Sequence, residues 1–188
     1  MPASDVIASN ILRAADHVFR DSGFERAEMR AIAQRAGIAV GTIYNYFPNK
    51  WGLFLRILYD KWDKVEQQVL ALRSDEQLDW RQRLIGILRA QMAYVAENAP
   101  IWTEIEAMAT NGRRLPAGGD PAVMRQVLDW LTGQVAEVLL ESGHAPWQAS
   151  PVRERQSMAL VATAGALARR LPKEPEANAA FLQTMVAA

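Results

Sequence analysis

The side chains best suited to metal binding and covalent catalysis are scarce in this sequence of 188 residues. It contains no cysteine and only two histidines, His17 and His144. A thiol nucleophile, a thiolate metal site and a disulfide framework are therefore excluded, and two histidines are too few for a multi-histidine metal cluster. Neither histidine has an evident nucleophile or metal partner, so an enzyme is poorly supported and no cofactor is predicted.

Charge is balanced over the whole chain but not locally. The 21 basic and 21 acidic residues cancel, so net charge does not indicate whether a polyanion is bound. Residues 26–50 contain four basic residues and one acidic residue, which gives this stretch a charge of +3. Any signal for a polyanionic partner is therefore local. The basic residues are Arg26, Arg30, Arg35 and Lys50, and the acidic one is Glu28.

Hydrophobic spacing predicts helices along nearly the whole chain, without the sustained alternation typical of strands. We expect an all-α fold of about nine helices, in which a three-helix domain precedes a helical bundle. The first helix begins at Ser4 or Asp5 and ends before Gly23, a position suited to a left-handed residue. The later helices are predicted at about 28–36, 39–46, 49–73, 78–98, 100–110, 121–142, 151–170 and 175–186.

The second and third predicted helices have the spacing of a helix-turn-helix. Ala33 is small enough to let the two helices approach, and Gly37 supplies a positive φ at the turn. Ile38 and Ile43 can bury the second helix of the pair against the first. In a helix-turn-helix this second helix enters the major groove of DNA. The same apolar spacing would also suit two core helices joined at a glycine.

The residues after this turn decide between the two interpretations. Residues 41–50 read Gly-Thr-Ile-Tyr-Asn-Tyr-Phe-Pro-Asn-Lys. This stretch resembles the hallmark of the TetR family of bacterial transcriptional regulators, roughly Gly-Thr-(Ile/Leu)-Tyr-x-(Tyr/His)-Phe-x-x-Lys. Phe19 and the pair Gly23-Phe24 fit the family pattern as well, so the resemblance covers about residues 7–58.

The resemblance implies a ligand-responsive transcriptional regulator, more often a repressor than an activator. Such a protein binds a near-palindromic operator in double-stranded DNA as a homodimer, and a small-molecule effector releases it. The implied domains are 1–50, which binds DNA, and 51–188, which binds the effector and forms the dimer. The alternative is a DNA-binding regulator without an effector, controlled by occupancy or a protein partner. With no signal peptide or membrane-spanning stretch in the sequence, we expect a cytoplasmic protein.

The resemblance also implies roles for residues in and around the recognition helix. Thr42 and Tyr44 correspond to phosphate contacts, Lys50 adds another, and Tyr46 either packs on the domain or reaches phosphate. Val40 stands where a polar residue is common. It cannot hydrogen-bond a base edge, but its methyl groups could contact a thymine methyl. Ala27 and Ala39 replace hydroxyl residues that usually cap the second and third helices. The full predicted DNA-binding set is Arg30, Ala39, Val40, Gly41, Thr42, Tyr44, Asn45, Tyr46 and Lys50.

Two further sets are expected in the remaining two thirds of the chain. Aromatic and methionine side chains at mid-bundle positions suit an effector pocket, although such residues also form ordinary cores. This pocket set is Met92, Trp102, Glu106 and Trp130. The last two helices correspond to the family's dimer interface, with packing inside one chain as the alternative. The interface set is Leu160, Val161, Ala164, Gly165, Leu167 and Ala168.

Overall fold

The computed structural model describes residues 3–99 and 121–187, and within them it is all-α, as predicted. Nine helices lie in the described residues, and none of them is both long and apolar enough to cross a membrane. They are α1 (Ala3–Ser22), α2 (Met29–Ala36), α3 (Val40–Tyr46), α4 (Lys50–Ser74), α5 (Trp80–Glu97), α6 (Pro121–Glu141), α7 (Ala145–Gln148), α8 (Ser150–Arg170) and α9 (Pro175–Ala187).

Local sequence signals explain most of the helix ends. Gly23 follows α1 with a φ of 78°, as predicted. The Asn49 side chain caps α4 by accepting a hydrogen bond from the Gly52 N–H at 2.7 Å. A capping box between Asp79 and Gln82 begins α5. The predicted helix at 100–110 lies outside the described residues, whereas α7 was not predicted.

The described residues form two compact units, one of residues 3–61 and the other of residues 62–99 and 121–187. The boundary falls within α4. The first unit continues to Lys61 because residues of α4 such as Phe54 and Leu58 belong to its hydrophobic core. The functional division predicted between residues 50 and 51 stays a prediction.

A cluster of four aromatic rings lies at the centre of the first unit. The Phe24 ring centroid is 5.0 Å from that of Phe54 and 5.4 Å from that of Trp51, and the Phe19 ring is 5.8 Å from Phe54. Edge-to-face and tilted pairs of this kind add to the stabilisation that comes from burying apolar area. The cluster joins α1, the loop before α2 and the start of α4, so Trp51 packs in the core.

The second unit is organised around α8. This helix packs against α5, α6 and α9, and α7 packs beside its first turn. Its buried residues include Leu160, Val161, Ala164 and Ala168. A hydrogen bond also links α8 directly to α9, because Gln156 donates to the carbonyl oxygen of Met185 at 3.2 Å.

Candidate nucleic-acid interface

The turn between α2 and α3 has the geometry that the sequence predicts. Gly37 ends α2 in the left-handed conformation, with a φ of 70°. The Ile38 N–H donates to the Ala33 carbonyl oxygen at 3.1 Å, which closes the turn against α2. Ala33 and Ile43 are almost fully buried. The seven residues of α3 are therefore held against α2 by one glycine turn and one apolar face.

The two sides of α3 differ in exposure. Tyr44 is 50% exposed, and Gly41 and Asn45 are exposed as well. Val40 and Tyr46 are half-buried and pack against the core of the first unit, as does Phe47 just after the helix. Of the two alternatives for Tyr46, the structure shows packing on the domain. Val40 takes part in this packing too, which leaves less of its side chain for a base edge.

The starts of α2 and α3 lack side-chain caps. Ala39 occupies the N-cap position of α3 and is exposed, but it has no side-chain oxygen to accept a hydrogen bond. The N-cap position of α2 belongs to Glu28, which makes no capping hydrogen bond from its side chain. The expectation that Ala27 takes that position is wrong, because Ala27 is buried in the core instead. Neither side chain therefore satisfies the first amides of its helix.

The two cations predicted to contact DNA lie in different surroundings. Arg30, in the first turn of α2, is exposed. Lys50 is half-buried, and its Nζ atom donates to the carbonyl oxygens of Phe24, Glu25 and Ala27 at 2.6, 2.9 and 3.0 Å. Arg30 thus presents its charge to the surface, while Lys50 directs its ammonium into the protein's own backbone.

The described members of the predicted effector set lie in different parts of the second unit. The Trp62 ring is 5.4 Å from that of Tyr94 and 5.8 Å from that of Trp130. Met92 instead lines a cavity of about 210 Å³ beside α8 and α9, with Ala168 and Pro175 among its neighbours. Residues two apart on a helix point to nearly opposite sides, which separates Met92 from Tyr94. Trp102 and Glu106 lie outside the described residues.

The residues predicted for the dimer interface are mostly buried within one chain. Leu160, Val161, Ala164, Gly165 and Ala168 are buried, and Leu167 is half-buried. A different part of the same two helices is exposed and was missed. Met158 is 61% exposed on α8 and Phe181 is 51% exposed on α9. The signal available in the sequence was the helical spacing of Met158 and Ala162, four residues apart on one side of α8.

The left-handed glycine turn, the two short helices packed on each other and the exposed side of α3 define a helix-turn-helix, and the described residues are all-α. The family model described as "Bacterial regulatory proteins, tetR family" matches residues 11–57. About a quarter of this chain is therefore similar to that family model. The resemblance seen in the sequence is confirmed.

Several curated relatives share the first part of the chain. It is 39% identical over 56 residues to the HTH-type transcriptional repressor KstR of Mycolicibacterium smegmatis, which is 30% of this chain and 28% of that protein. It is 28% identical over 105 residues to the fatty acid metabolism regulator protein of Bacillus subtilis, 54% of this chain and 53% of the relative. The chain thus spans between about a quarter and a half of the length of these relatives.

Solved structures resemble the chain over nearly its whole length. A TetR/AcrR-family regulator from Thermobifida fusca superposes with a TM-score of 0.74 at 16% identity, covering 95% of each chain. Thermus thermophilus FadR, a TetR-family repressor solved with lauroyl-CoA, has a TM-score of 0.61 at 21% identity and covers 96% of this chain and 91% of its own. At such identities the likeness establishes the shared fold.

Proposed function

We propose that this protein is a ligand-responsive transcriptional repressor that binds a near-palindromic DNA operator as a homodimer. The observation that carries the proposal is the exposed side of α3 behind the Gly37 turn. A helix held in this way can enter a major groove, with its exposed residues facing the bases and backbone. A protein that acts on bacterial chromosomal DNA works in the cytoplasm.

Tyr44 and Arg30 are the exposed groups best placed to test DNA binding. The Tyr44 hydroxyl can donate to a phosphate oxygen, and the Arg30 guanidinium adds a charge next to the start of α2. The operator would be obtained by selecting duplexes from a randomised library with the wild-type protein. Affinity for the selected duplex and for a scrambled duplex of the same composition would then be measured at several salt concentrations.

The two variants should give different salt dependences. Arg30→Ala should reduce the slope of log affinity against log salt by about one, because one fewer counterion is released. Tyr44→Phe should weaken binding at every salt concentration without changing the slope, because the hydroxyl carries no charge. Failure of the wild-type protein to enrich any duplex would overturn the proposed function itself.

We place the dimer contact on the exposed side of α8 and α9. Met158 and Phe181 are large apolar side chains left in solvent, and Ala159 and Ala162 offer small exposed positions between which a partner helix can approach. A contact between two copies related by a two-fold axis uses the same surface on each copy. The buried residues Ala164 and Gly165 lie on the core-facing side of α8.

The effector in our proposal is a compound with an apolar chain. Two observations support this class: the aromatic group of Trp62, Tyr94 and Trp130, and the relatives themselves, one named for fatty acid metabolism and one solved with lauroyl-CoA. Burial raises the pKa of Tyr94, so its hydroxyl stays a neutral donor even at alkaline pH.

A thermal-shift series with saturated fatty acids and their coenzyme A thioesters tests this effector class. A ligand that binds only the folded protein raises the unfolding temperature with concentration. It should also release the selected duplex, because only a difference in affinity between two states shifts their populations. If no compound changes either measurement, the alternative of a regulator without an effector is favoured.

A further inference from the structure

We propose that Lys50 is a positioning residue that fastens the loop before α2 to the first turn of α4, and that it does not contact phosphate. Three carbonyl oxygens in four consecutive residues, 24–27, lie within 3.0 Å of its Nζ atom. An ammonium group has three hydrogens to donate, and three acceptors are present. This inference rests on the proposed DNA-binding function, because it concerns how α3 is presented to DNA.

The surroundings of the ammonium strengthen these bonds. Hydrogen bonds from a charged donor are shorter and stronger than neutral ones, and partial burial of Lys50 reduces screening by water. The Nζ atom also lies 4.6 Å from the centroid of the Phe24 ring, within range of a cation–π contact. Leaving this environment to reach a phosphate would break all of these contacts at once.

The loop held by Lys50 leads directly into the helix-turn-helix. Ala27, one of the three acceptors, is buried and its own N–H donates to the Gly23 carbonyl oxygen at 3.2 Å. The Gly37 turn fixes α3 against α2 at the other end of the same helix. The orientation of α3 relative to the start of α4 is therefore determined at two points, and Lys50 is one of them.

Three possible roles for Lys50 predict different results. A phosphate contact strengthens all DNA sequences alike and adds about one to the salt slope. A residue that only stabilises the fold changes neither slope nor specificity once the protein is folded. A positioning residue affects the operator more than random DNA, because only the operator requires a fixed placement of both recognition helices.

The experiment compares Lys50→Met, which keeps the apolar stem, and Lys50→Arg, which keeps the charge. Both are titrated against the selected duplex and the scrambled duplex at several salt concentrations, well below their unfolding temperatures. Arg30→Met, which removes an exposed cation of α2, is the control for a DNA-contacting charge. Lys64→Met, which removes an exposed cation further along α4, is the control for a charge away from the interface.

We expect Lys50→Met to reduce the ratio of operator to scrambled affinity by about tenfold, with an unchanged salt slope. Lys50→Arg should show the same direction of change, since a planar guanidinium cannot direct three N–H groups at these converging carbonyls. A slope reduced by about one with an unchanged ratio in Lys50→Met, or wild-type behaviour in Lys50→Arg, would overturn the proposal. A Lys50→Met variant whose only change is a lower unfolding temperature would also overturn the proposal.

Amide hydrogen exchange tests the fastening without DNA. Exchange at Ala27 should be about tenfold faster in Lys50→Met than in the wild type, whereas Lys64→Met should leave it unchanged. Equal exchange at Ala27 in the wild type and Lys50→Met would contradict the proposal even if operator binding is as proposed. Loss of protection at Ala27 together with no DNA binding by the wild type would instead reject the proposed function and retain the fastening.

Discussion

Gln91 donates a hydrogen bond from Nε2 to the carbonyl oxygen of Val161 at 2.9 Å, and both residues are buried. A Cβ atom added to Gly165, one turn further along α8, would lie 3.4 Å from the same Nε2 atom. The small residues of α8 thus allow α5 to approach within one protomer. Substitutions among them should change the stability of the protomer first.

Gly165 provides the first prediction. A Cβ atom at 3.4 Å from side-chain nitrogens of Gln91 and Arg169 is at van der Waals contact without overlap, so Gly165→Ala should raise the free energy of unfolding by about 0.5–1 kcal/mol through helix propensity. Gly165→Leu should lower it by about 1–3 kcal/mol through overpacking. Urea unfolding measures both. Gly133→Ala in α6, where no described atom lies within 4 Å of the new Cβ, is the control and should match Gly165→Ala.

Met158 provides the second prediction, for the dimer. Met158→Glu places a charge in the exposed apolar surface of α8 and should convert the dimer to monomers at micromolar concentration, with loss of operator affinity. Sedimentation velocity gives the oligomeric state. Leu128→Glu, which changes an exposed leucine of α6, should leave the dimer intact. A dimeric Met158→Glu variant, or a monomeric wild type, would rule out this surface.

Glu176 provides the third prediction, on pH. Its carboxylate accepts two hydrogen bonds from Arg89, both at 2.7 Å, and these bonds together with the arginine's charge lower the pKa of Glu176. The unfolded chain then takes up a proton at higher pH than the folded chain. The stabilisation is therefore fully present above the unfolded carboxyl pKa of about 4.3 and is lost as pH falls through the lower pKa of the folded state.

Glu176→Gln should remove this pH-dependent part. The difference in unfolding free energy between wild type and variant should be largest near neutral pH and should shrink as the pH is lowered below about 4. Urea unfolding at several pH values measures the difference. Glu174→Gln, which changes an exposed glutamate two residues earlier, is the control. A difference that stays constant with pH would show that ionisation of Glu176 does not contribute to stability.

Gly41 provides the fourth prediction. It is exposed in α3, its φ is not in the left-handed region, and no described atom lies within 4 Å of the position of an added Cβ. Gly41→Ala should therefore raise the unfolding free energy by about 0.5–1 kcal/mol. If α3 lies in a major groove, the added methyl group should meanwhile weaken DNA binding. Gly133→Ala should raise stability without affecting DNA. Unchanged DNA affinity in Gly41→Ala would exclude a close approach at this residue.

Sequence reasoning succeeded where the controlling interaction is local. The positive φ of Gly37 and the cap at Asn49 each depend on residues within four positions along the chain, so residue type and spacing suffice to predict them. The helix α7 was missed because its four residues lie between Gly143 and Pro151, where turn residues dominate the pattern.

Sequence reasoning was weaker where the partner is distant along the chain. The carbonyls that bind Lys50 belong to residues that precede it by 23 to 26 positions, and no local sequence pattern indicates them. Small residues such as Gly165 indicate a close helix contact but do not say whether the neighbour belongs to the same chain. Met92 and Trp130 are both apolar and mid-bundle, yet only the fold reveals that one lines a cavity and the other packs edge-to-face against Trp62.

The short, uncapped helices α2 and α3 have a consequence for genetics. At 8 and 7 residues, they fall below the length of about 12 residues at which an isolated helix begins to persist in water. They depend on the core that contains Phe19 and Phe54. A screen for alleles that derepress a reporter gene should therefore recover lesions at Phe19 and Phe54, far from any base, alongside lesions at Tyr44. Suppressors of the core alleles should be global stabilisers, whereas a Tyr44 allele should resist them.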